Sequence, residues 1–415
     1  MNPSVYIKTQ GCKLNQSDSL SLSTEFHENG YEIARTAKQA DVIVLNTCTV
    51  TATADSKARQ YINATSKKHP SALVVITGCY AQSQSEVLEG TYPNCLILGN
   101  NDKPNIVSSV NQRLGFVESY LPSFLPKFNK TRAMVKIQEG CNQVCSYCIV
   151  PKVRGREKSI PMSVIISQVN NYHELGFNEV VLTGTQLGTY GFETGKDNLK
   201  TLIDKILSET SIPRIRVSSL QAHEIDMALL SLWSDQRLQN HFHIPLQSGD
   251  DDLLQSMRRR YTTSEFKKSV AAVRDAVPNV AITTDWIIGF PGESDAQFTN
   301  SARFVEDIQF SDIHPFPYSI RPGTSAAYLQ DQVLSSKKKS RMQIAIYLKE
   351  QSAKNFKHSM LGKEFRVLWE SRDNAGNGTG YTSNYIKVAN KSTTRSNTIT
   401  DEILLRVNEN GEVSC

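Results

Sequence analysis

Cys141, Cys145 and Cys148 stand at CxxxCxxC spacing in the run Lys136-Ile137-Gln138-Glu139-Gly140-Cys141-Asn142-Gln143-Val144-Cys145-Ser146-Tyr147-Cys148-Ile149-Val150-Pro151. Three thiols this close in sequence can fold around one metal centre, and their number decides which kind. A structural zinc closes its tetrahedron with four ligands, and an ordinary iron–sulfur electron carrier binds its cubane through four cysteines. Here the local ligands stop at three: the nearest downstream His is His173, inside a helical pattern, and the nearest upstream Cys is Cys95. A [4Fe-4S] cubane held by three thiolates leaves one iron open to a small molecule. A three-cysteine zinc site finished by a distant residue is the blander alternative.

A second triad lies upstream. Cys12, Cys48 and Cys79 each follow a short run, Val5 to Gly11, Asp41 to Thr47 and Ala72 to Gly78. Three thiols closing three successive strands again make an incomplete metal site, against the alternative that cysteine, a commonly buried residue, merely fills strand ends. Cys95 and Cys415 fit neither set and read as structural or incidental.

The elements that must position these thiols follow from periodicity. The Asp41 and Ala72 runs are β-branched and suit strands buried on both faces. Helical patterns at Asp18 to Asn29, stopped by Gly30, and Ala54 to Lys67, followed by Pro70, separate the three runs. This βαβαβ alternation predicts a doubly wound parallel sheet over residues 1–113, whose strands end on one edge, where such sheets place ligands. Residues 114–130, with Leu121-Pro122-Ser123-Phe124-Leu125-Pro126-Lys127, read as a linker. From 131 to 357, strands are expected at Ala133 to Ile137, Glu179 to Leu182, Arg214 to Val217, His241 to Leu246, Val280 to Ile288 and Asp312 to Tyr318. Helices such as Pro161 to Leu175 and Thr263 to Ala276, the latter opened by a Thr262/Glu265 capping box, fill the gaps. Six βα units predict a partial (β/α)6 barrel of TIM type, with chemistry at the C-terminal strand ends.

Those ends are the least core-like segments of the region: Gly140-Cys141, Thr183-Gly184-Thr185-Gln186, Ser218-Ser219, Gln247-Ser248-Gly249 and Gly289-Phe290-Pro291-Gly292-Glu293. Glycines admit close backbone approach, and amides and hydroxyls supply neutral hydrogen bonds to a polar cofactor. Arg258-Arg259-Arg260 and Lys337-Lys338-Lys339-Ser340-Arg341 are basic runs that read as solvated faces or phosphate contacts. Residues 358–415 are β-rich and predict a small OB-like barrel, with strand-like runs that include Tyr381 to Val388.

With 415 residues, 39% hydrophobic and 21% charged, the composition is that of an ordinary soluble protein of two or three domains. No apolar run approaches the roughly 20 residues of a membrane helix, and the start lacks the pattern of a secretory signal. No membrane association is expected, and the chain reads as cytoplasmic. Eight cysteines in such a chain point to metal rather than disulfides. A net charge of +5 permits a nucleic-acid partner without requiring one.

The CNQVCSYC string, with Tyr147 before its last Cys, resembles the signature of radical S-adenosylmethionine (SAM) enzymes. Extended through Ile149-Val150-Pro151 and Arg154-Gly155-Arg156-Glu157, it resembles the methylthiotransferases. So do Gly11-Cys12-Lys13-Leu14-Asn15-Gln16-Ser17-Asp18, Asn46-Thr47-Cys48-Thr49-Val50 and Thr77-Gly78-Cys79-Tyr80-Ala81-Gln82. The resemblance covers nearly the whole chain and implies two [4Fe-4S] clusters. One, on Cys141, Cys145 and Cys148, binds and cleaves SAM; the other, on Cys12, Cys48 and Cys79, holds the sulfur to be methylated and transferred. Tyr147, Thr183, Gly184, Gln186, Ser218, Gln247 and Gly289 are the positions expected to face SAM.

The Gly380 to Ile386 segment resembles the TRAM domain that closes methylthiotransferases. The RNA contacts this implies are Tyr381 and Tyr385, with Arg258, Arg259 and Arg260. Family members modify an isopentenylated or threonylcarbamoylated adenosine (t6A) beside the tRNA anticodon, or an Asp of a ribosomal protein. The Gly11 segment, Arg216-Val217-Ser218-Ser219-Leu220 and His314-Pro315-Phe316-Pro317-Tyr318-Ser319 resemble the t6A branch, so a tRNA anticodon loop is the expected partner, with an electron donor and a sulfur source. Arg214 and Arg216 are then candidates to pair with the t6A carboxylate. The alternatives are the other two substrates or a non-catalytic iron–sulfur or zinc RNA-binding protein.

Overall fold

The three runs that end in cysteine become adjacent strands of one parallel sheet. The structure, a computed structural model, describes residues 2–116, 131–372, 376–390, 396–409 and 411–415. The expected linker at Leu121 to Lys127 lies outside them. In the N-terminal sheet, β1 (Ser4–Thr9), β2 (Glu32–Ile33), β3 (Val42–Thr47), β4 (Leu73–Gly78) and β5 (Leu96–Ile97) run in the order β2-β1-β3-β4-β5, all parallel. The residues of β3 are all buried, as expected of a strand covered on both faces. The short edge strands β2 and β5 were not expected, since two residues carry no periodicity to read.

The helix after Cys12 spans Lys13–Glu28 and not Asp18 to Asn29. Its first turns escape apolar periodicity because Asn15, Ser17 and Asp18 are buried polar residues. They face the central region, where Ser17 Oγ accepts the amide of Lys136 at 3.1 Å and Leu20 joins the central core. The helix thus covers the open edge of the first central strand.

The central strands are β6 (Arg132–Lys136), β9 (Glu179–Thr183), β10 (Arg214–Val217), β11 (His241–His243), β12 (Ala281–Ile288) and β13 (Asp312–Pro317), with a small hairpin of β7 (Gln138–Glu139) and β8 (Lys158–Ser159) above β6. They form two three-stranded parallel sheets, β10-β9-β6 and β11-β12-β13. Parallel bridges Ile215 to Leu238 and Ser219 to His243 join β10 to the β11 side, so six strands run in one direction and their C-terminal ends share one rim. Helices Met162–Glu174 and Thr263–Ala276, the latter with the Thr262/Glu265 box formed, pack apolar faces onto the sheets. The long helix Ser335–Ser359 follows β13.

The C-terminal sheet curls through β14 (Glu364–Arg372), β15 (Gly378–Thr382), β16 (Lys387–Asn390), β17 (Ile399–Ile403), β18 (Arg406–Val407) and β19 (Val413–Ser414), in the order β17-β14-β15-β16-β19-β18. Tyr381 to Val388 is therefore not one strand. Thr382 Oγ1 accepts the Ile386 amide at 2.8 Å and donates to Asn384 at 2.6 Å, and Tyr385 sits at φ +67°. A side-chain-locked turn splits the run into β15 and β16. The two tyrosines end up stacked on one another, centroids 4.9 Å apart.

Candidate functional site

Glycine sets up the entry to the cysteines in both triads. Gly140 has φ +77°, and a Cβ there would lie 2.0 Å from the Arg156 carbonyl oxygen; Gly11 has φ +102°, and its Cβ would fall 2.5 Å from Cys48 Cβ. Only glycine permits both the left-handed turn and the close approach. Around Cys12 the loop is closed by Asn15, whose side-chain amide donates to the carbonyls of Gln10 at 2.7 Å and Thr47 at 3.0 Å. Asn46 donates in turn to the Asn15 carbonyl at 2.9 Å.

Cys12, Cys48 and Cys79 line one cavity of about 500 Å³. Its opposite wall is the rim of the central strands: Thr183, Gly184, Thr185, Ser218, Ser219, His243, Asp285 and His314, with Val150, Val153 and Arg154 from the segment after Cys148. Two contacts hold the walls together. Asp18, buried, receives Lys103, Lys136 and Arg154, and these cations keep its carboxyl well below the usual range although burial works against them. Arg154 also donates to the Asn15 side chain. On the far side, Arg321 pairs with Asp55, and the Ala52 amide donates to Ser319 Oγ at 3.0 Å.

Around Cys141, Cys145 and Cys148 the donors point at sulfur. The Gln143 amide lies 3.3 Å from Cys141 Sγ, and Arg259 Nη1 3.5 Å from Cys145 Sγ; in the other triad Asn100 Nδ2 lies 3.5 Å from Cys79 Sγ. Such N–H···S contacts are among the levers that tune an iron–sulfur cluster. Burial pushes the thiols up, Cys48 and Cys141 to about 11 and Cys148 to about 12, so metal binding must displace protons there. Among the described residues no three His, Cys, Asp or Glu side chains gather to hold a single metal ion. Gln143 Nε2, Thr185 Oγ1 and Arg259 Nη2 are buried without hydrogen-bond partners, which fits a site shaped for a polar ligand. Both donor sets fit a three-thiolate cluster, and the first also fits a polar small molecule on its open side.

The remaining expected residues divide. Gln186 approaches Cys141 Sγ at 3.0 Å and donates to Glu224 at 2.9 Å, and Gln138 Oε1 shapes its loop by accepting the amides of Thr185 and Gln186. Thr183, Gly184 and Ser218 line the cavity. Tyr147 packs beside Leu253, Met257 and Phe290, with burial driving its hydroxyl well above the ordinary value. Gln247 holds φ +62°, a strained geometry for a non-glycine residue. The Gly289 amide donates to Glu293 at 2.8 Å, and buried Arg341 holds Glu293 at 2.6 Å, so this end of the Lys337 to Arg341 run is a staple and not an open basic face.

Three expectations are corrected. Arg214 and Arg216 are each 1% exposed and share Glu179, at 2.8 and 3.0 Å. Arg214 also donates to the carbonyls of Arg366 and Thr382, and Arg216 to that of Ser383. They dock the C-terminal sheet and are not placed to meet a substrate carboxylate. Tyr385 lies under Arg132 and Arg216, 5.4 and 4.5 Å from its ring centroid, and Tyr381 under Arg132 at 4.9 Å, so their faces are taken and do not offer a platform for bases. Arg259 turns inward onto Tyr261 and Cys145, whereas Arg258 and Arg260 remain exposed. Cys95 packs in the N-terminal core and Cys415 against the C-terminal one.

Sequence reasoning passed over Lys13, Asp18, His243, Asp285 and His314. His243, Asp285 and His314 belong to adjacent strands β11, β12 and β13, and His243 Nε2 reaches Asp285 at 3.3 Å. The signal was available as one inward-facing polar residue on each of three neighbouring strands. Lys13 donates to Ser218 Oγ at 3.4 Å; burial, Arg216 and Arg132 lower its ammonium to about 8.

Six parallel strands with one three-cysteine loop, Cys141 to Cys148, at their C-terminal rim suit a radical SAM enzyme, and the comparisons agree. Residues 135–305 match the Radical SAM superfamily, and residues 4–99 match the uncharacterized protein family UPF0004. The solved radical SAM methyltransferase TsrM from Kitasatospora setae superposes with a TM-score of 0.58 at 12% identity, over 79% of this chain and 77% of that one. Threonylcarbamoyladenosine tRNA methylthiotransferase MtaB of Bacillus subtilis is 35% identical over 94% of this chain and 90% of its own length. A tRNA-2-methylthio-N(6)-dimethylallyladenosine synthase of Syntrophus aciditrophicus is 35% identical over 88% and 83%. The chain belongs to the methylthiotransferase family of radical SAM enzymes, and is a transferase. Among the described residues no helix is long and apolar enough to cross a membrane.

Proposed function

We infer that the protein is a tRNA methylthiotransferase that converts N6-threonylcarbamoyladenosine at position 37, beside the anticodon, to its 2-methylthio derivative. The observation that carries this is a cavity whose one wall holds Cys12, Cys48 and Cys79 and whose other wall is the strand rim, Thr183 to Thr185 included, beside the Gln186 that touches Cys141. A base entering it meets these three cysteines and lies against the strand ends that lead to the other triad. Cys141, Cys145 and Cys148 would hold a [4Fe-4S] cluster supplying the electron for reductive cleavage of SAM, and Cys12, Cys48 and Cys79 would hold a second supplying the sulfur to be methylated and transferred.

The chain's own residues confine that chemistry. Gln186, Thr183, Gly184, Gln247, Gly289 and Tyr147 surround and orient the SAM on the first triad, with Gln143 and Arg259 completing its polar contacts, while Ser218 faces the substrate side with Lys13. Asp18, Arg154 and Lys136 lock the two walls, which keeps the triads at fixed separation and excludes bulk water. Exposed Arg258 and Arg260 contact tRNA phosphates.

The architecture behind this is a methylthiotransferase N-terminal domain (1–113), a linker (114–130), a partial (β/α)6 barrel (131–357) and a TRAM-like RNA-binding barrel (358–415). Turnover in a cytoplasmic setting needs an electron donor and a sulfur source. The relatives named for the dimethylallyl substrate supply the competing reading. Incubating reconstituted enzyme and SAM with tRNA carrying either modification, then digesting to nucleosides for mass spectrometry, separates them: 2-methylthio-t6A is the expected product, and product only from isopentenyladenosine replaces the substrate assignment.

A further inference from the structure

Lys13 lines the cavity with its ammonium held by a hydroxyl and by no carboxylate. Several buried cations elsewhere hold a carboxylate, Arg154 and Lys103 on Asp18, Arg214 and Arg216 on Glu179, Arg341 on Glu293, whereas Arg259 rests on Tyr261 and Cys145. Lys13 reaches across from the N-terminal wall to Ser218 at the end of β10 and, among the described residues, forms no ion pair. Lys13 is half-buried, and an ammonium largely withdrawn from water gains from an anion beside it. One side of the cavity is hydrophilic, with Ser218, Ser219, His243, Asp285 and His314, and the other is apolar, with Leu14, Val50, Val150 and Val153. Asp285 is itself held by His243 Nε2, so its remaining lone pairs can accept from an N–H or O–H.

We propose that Lys13, with Ser218, is the specificity determinant of the site: its ammonium binds the free carboxylate of the threonyl group, while the Asp285–His243 pair receives the carbamoyl N–H or threonyl hydroxyl. The inference rests on the substrate reading above and gives it a physical basis. A dimethylallyl group in the same place would bury the ammonium against hydrocarbon, satisfy none of these groups, and forfeit the polar wall.

The test is competition binding of anticodon stem-loop RNAs carrying t6A, unmodified adenosine or isopentenyladenosine to the reconstituted enzyme. Wild type is expected to prefer the t6A RNA. Lys13→Met should reduce that preference by roughly 10- to 100-fold, the worth of a charge-assisted hydrogen bond, with little change for the other two RNAs. Lys13→Arg should restore much of it. Ser218→Ala should lower it a few-fold, roughly 3-fold. If Lys13→Met keeps the t6A preference, or weakens all three RNAs alike as a disturbed neighbouring cluster would, the inference falls and the substrate reading stands. If wild type itself prefers the isopentenyl RNA, both fall.

Discussion

The two ends of the central strands handle buried charge in opposite ways. Inside the lower part of the strands, Arg132, Arg214 and Arg216 gather around Glu179 and Glu370, and spare guanidinium hydrogens go to backbone carbonyls of the C-terminal sheet. At the rim, Lys13 has a hydroxyl for company, and Gln143, Thr185 and Arg259 keep donor atoms without partners. The lower network is answered by the chain itself at all but Arg216 Nη2, and it serves cohesion. At the upper end donors and acceptors alike, Asn100 Oδ1 and Gln221 Oε1 among the latter, are left without partners, as at a site awaiting a polar ligand. Charge density alone does not mark function here; the balance of donors and acceptors does.

The comparison breaks most visibly at the thiols. Replacing Cys48 by Ala should remove about four of the eight irons expected for two cubanes and abolish methylthiolation while leaving SAM cleavage at the other triad. Replacing Cys145 should abolish both. Iron analysis and assay of 5'-deoxyadenosine check the pair. If zinc in place of iron occupied both sets, the catalytic account of the rim would fail.

At the lower end, Glu179→Gln should destabilise the fold by about 3–5 kcal/mol, because it strands buried arginines, without changing the RNA preference of the folded fraction. Burial opposes ionisation of Glu179, but Arg216 and Arg214 outweigh it and hold its pKa at about 2. A carboxylate whose folded pKa is depressed contributes its stability above the unfolded value of about 4.3, and that contribution fades as pH falls toward 2. Chemical unfolding of wild type across that window should show the loss, and Glu179→Gln should lack it. Equal pH profiles would mean that the lower network is not cohesive in this way.

How much of this division was legible in the sequence depends on the range of the contacts involved. The gathering of Cys12, Cys48 and Cys79 on one sheet edge was, because each of them follows a strand of a parallel sheet. The parallel sheets and their common rim were, because β-branched runs and helical periods alternate plainly. Arg214 and Arg216 misled because their partner, Glu179, is remote in sequence, and an arginine without a visible partner reads as available. Tyr385 misled because a turn locked by Thr382 and Asn384 is hidden in a run with strand composition. The early start of the Lys13–Glu28 helix was hidden by buried polar residues, whose partners Arg154 and Lys136 come from another part of the chain.

Smaller effects sharpen the contrast among the neighbouring arginines. Arg258→Ala and Arg260→Ala should each weaken tRNA binding modestly and lower the slope of log affinity against log salt by about one. Arg259→Ala should leave that slope nearly unchanged and alter the visible spectrum or potential of the cluster whose Cys145 it touches. Salt titration of binding and electrochemistry on the three variants read this out; identical salt slopes would return Arg259 to the RNA face.

The most direct test of the central claim is nucleoside mass spectrometry of total tRNA from cells with and without this gene. The account predicts that loss of the gene removes 2-methylthio-N6-threonylcarbamoyladenosine while the unthiolated nucleoside accumulates. Loss of the isopentenyl product instead, or an unchanged profile, would contradict it.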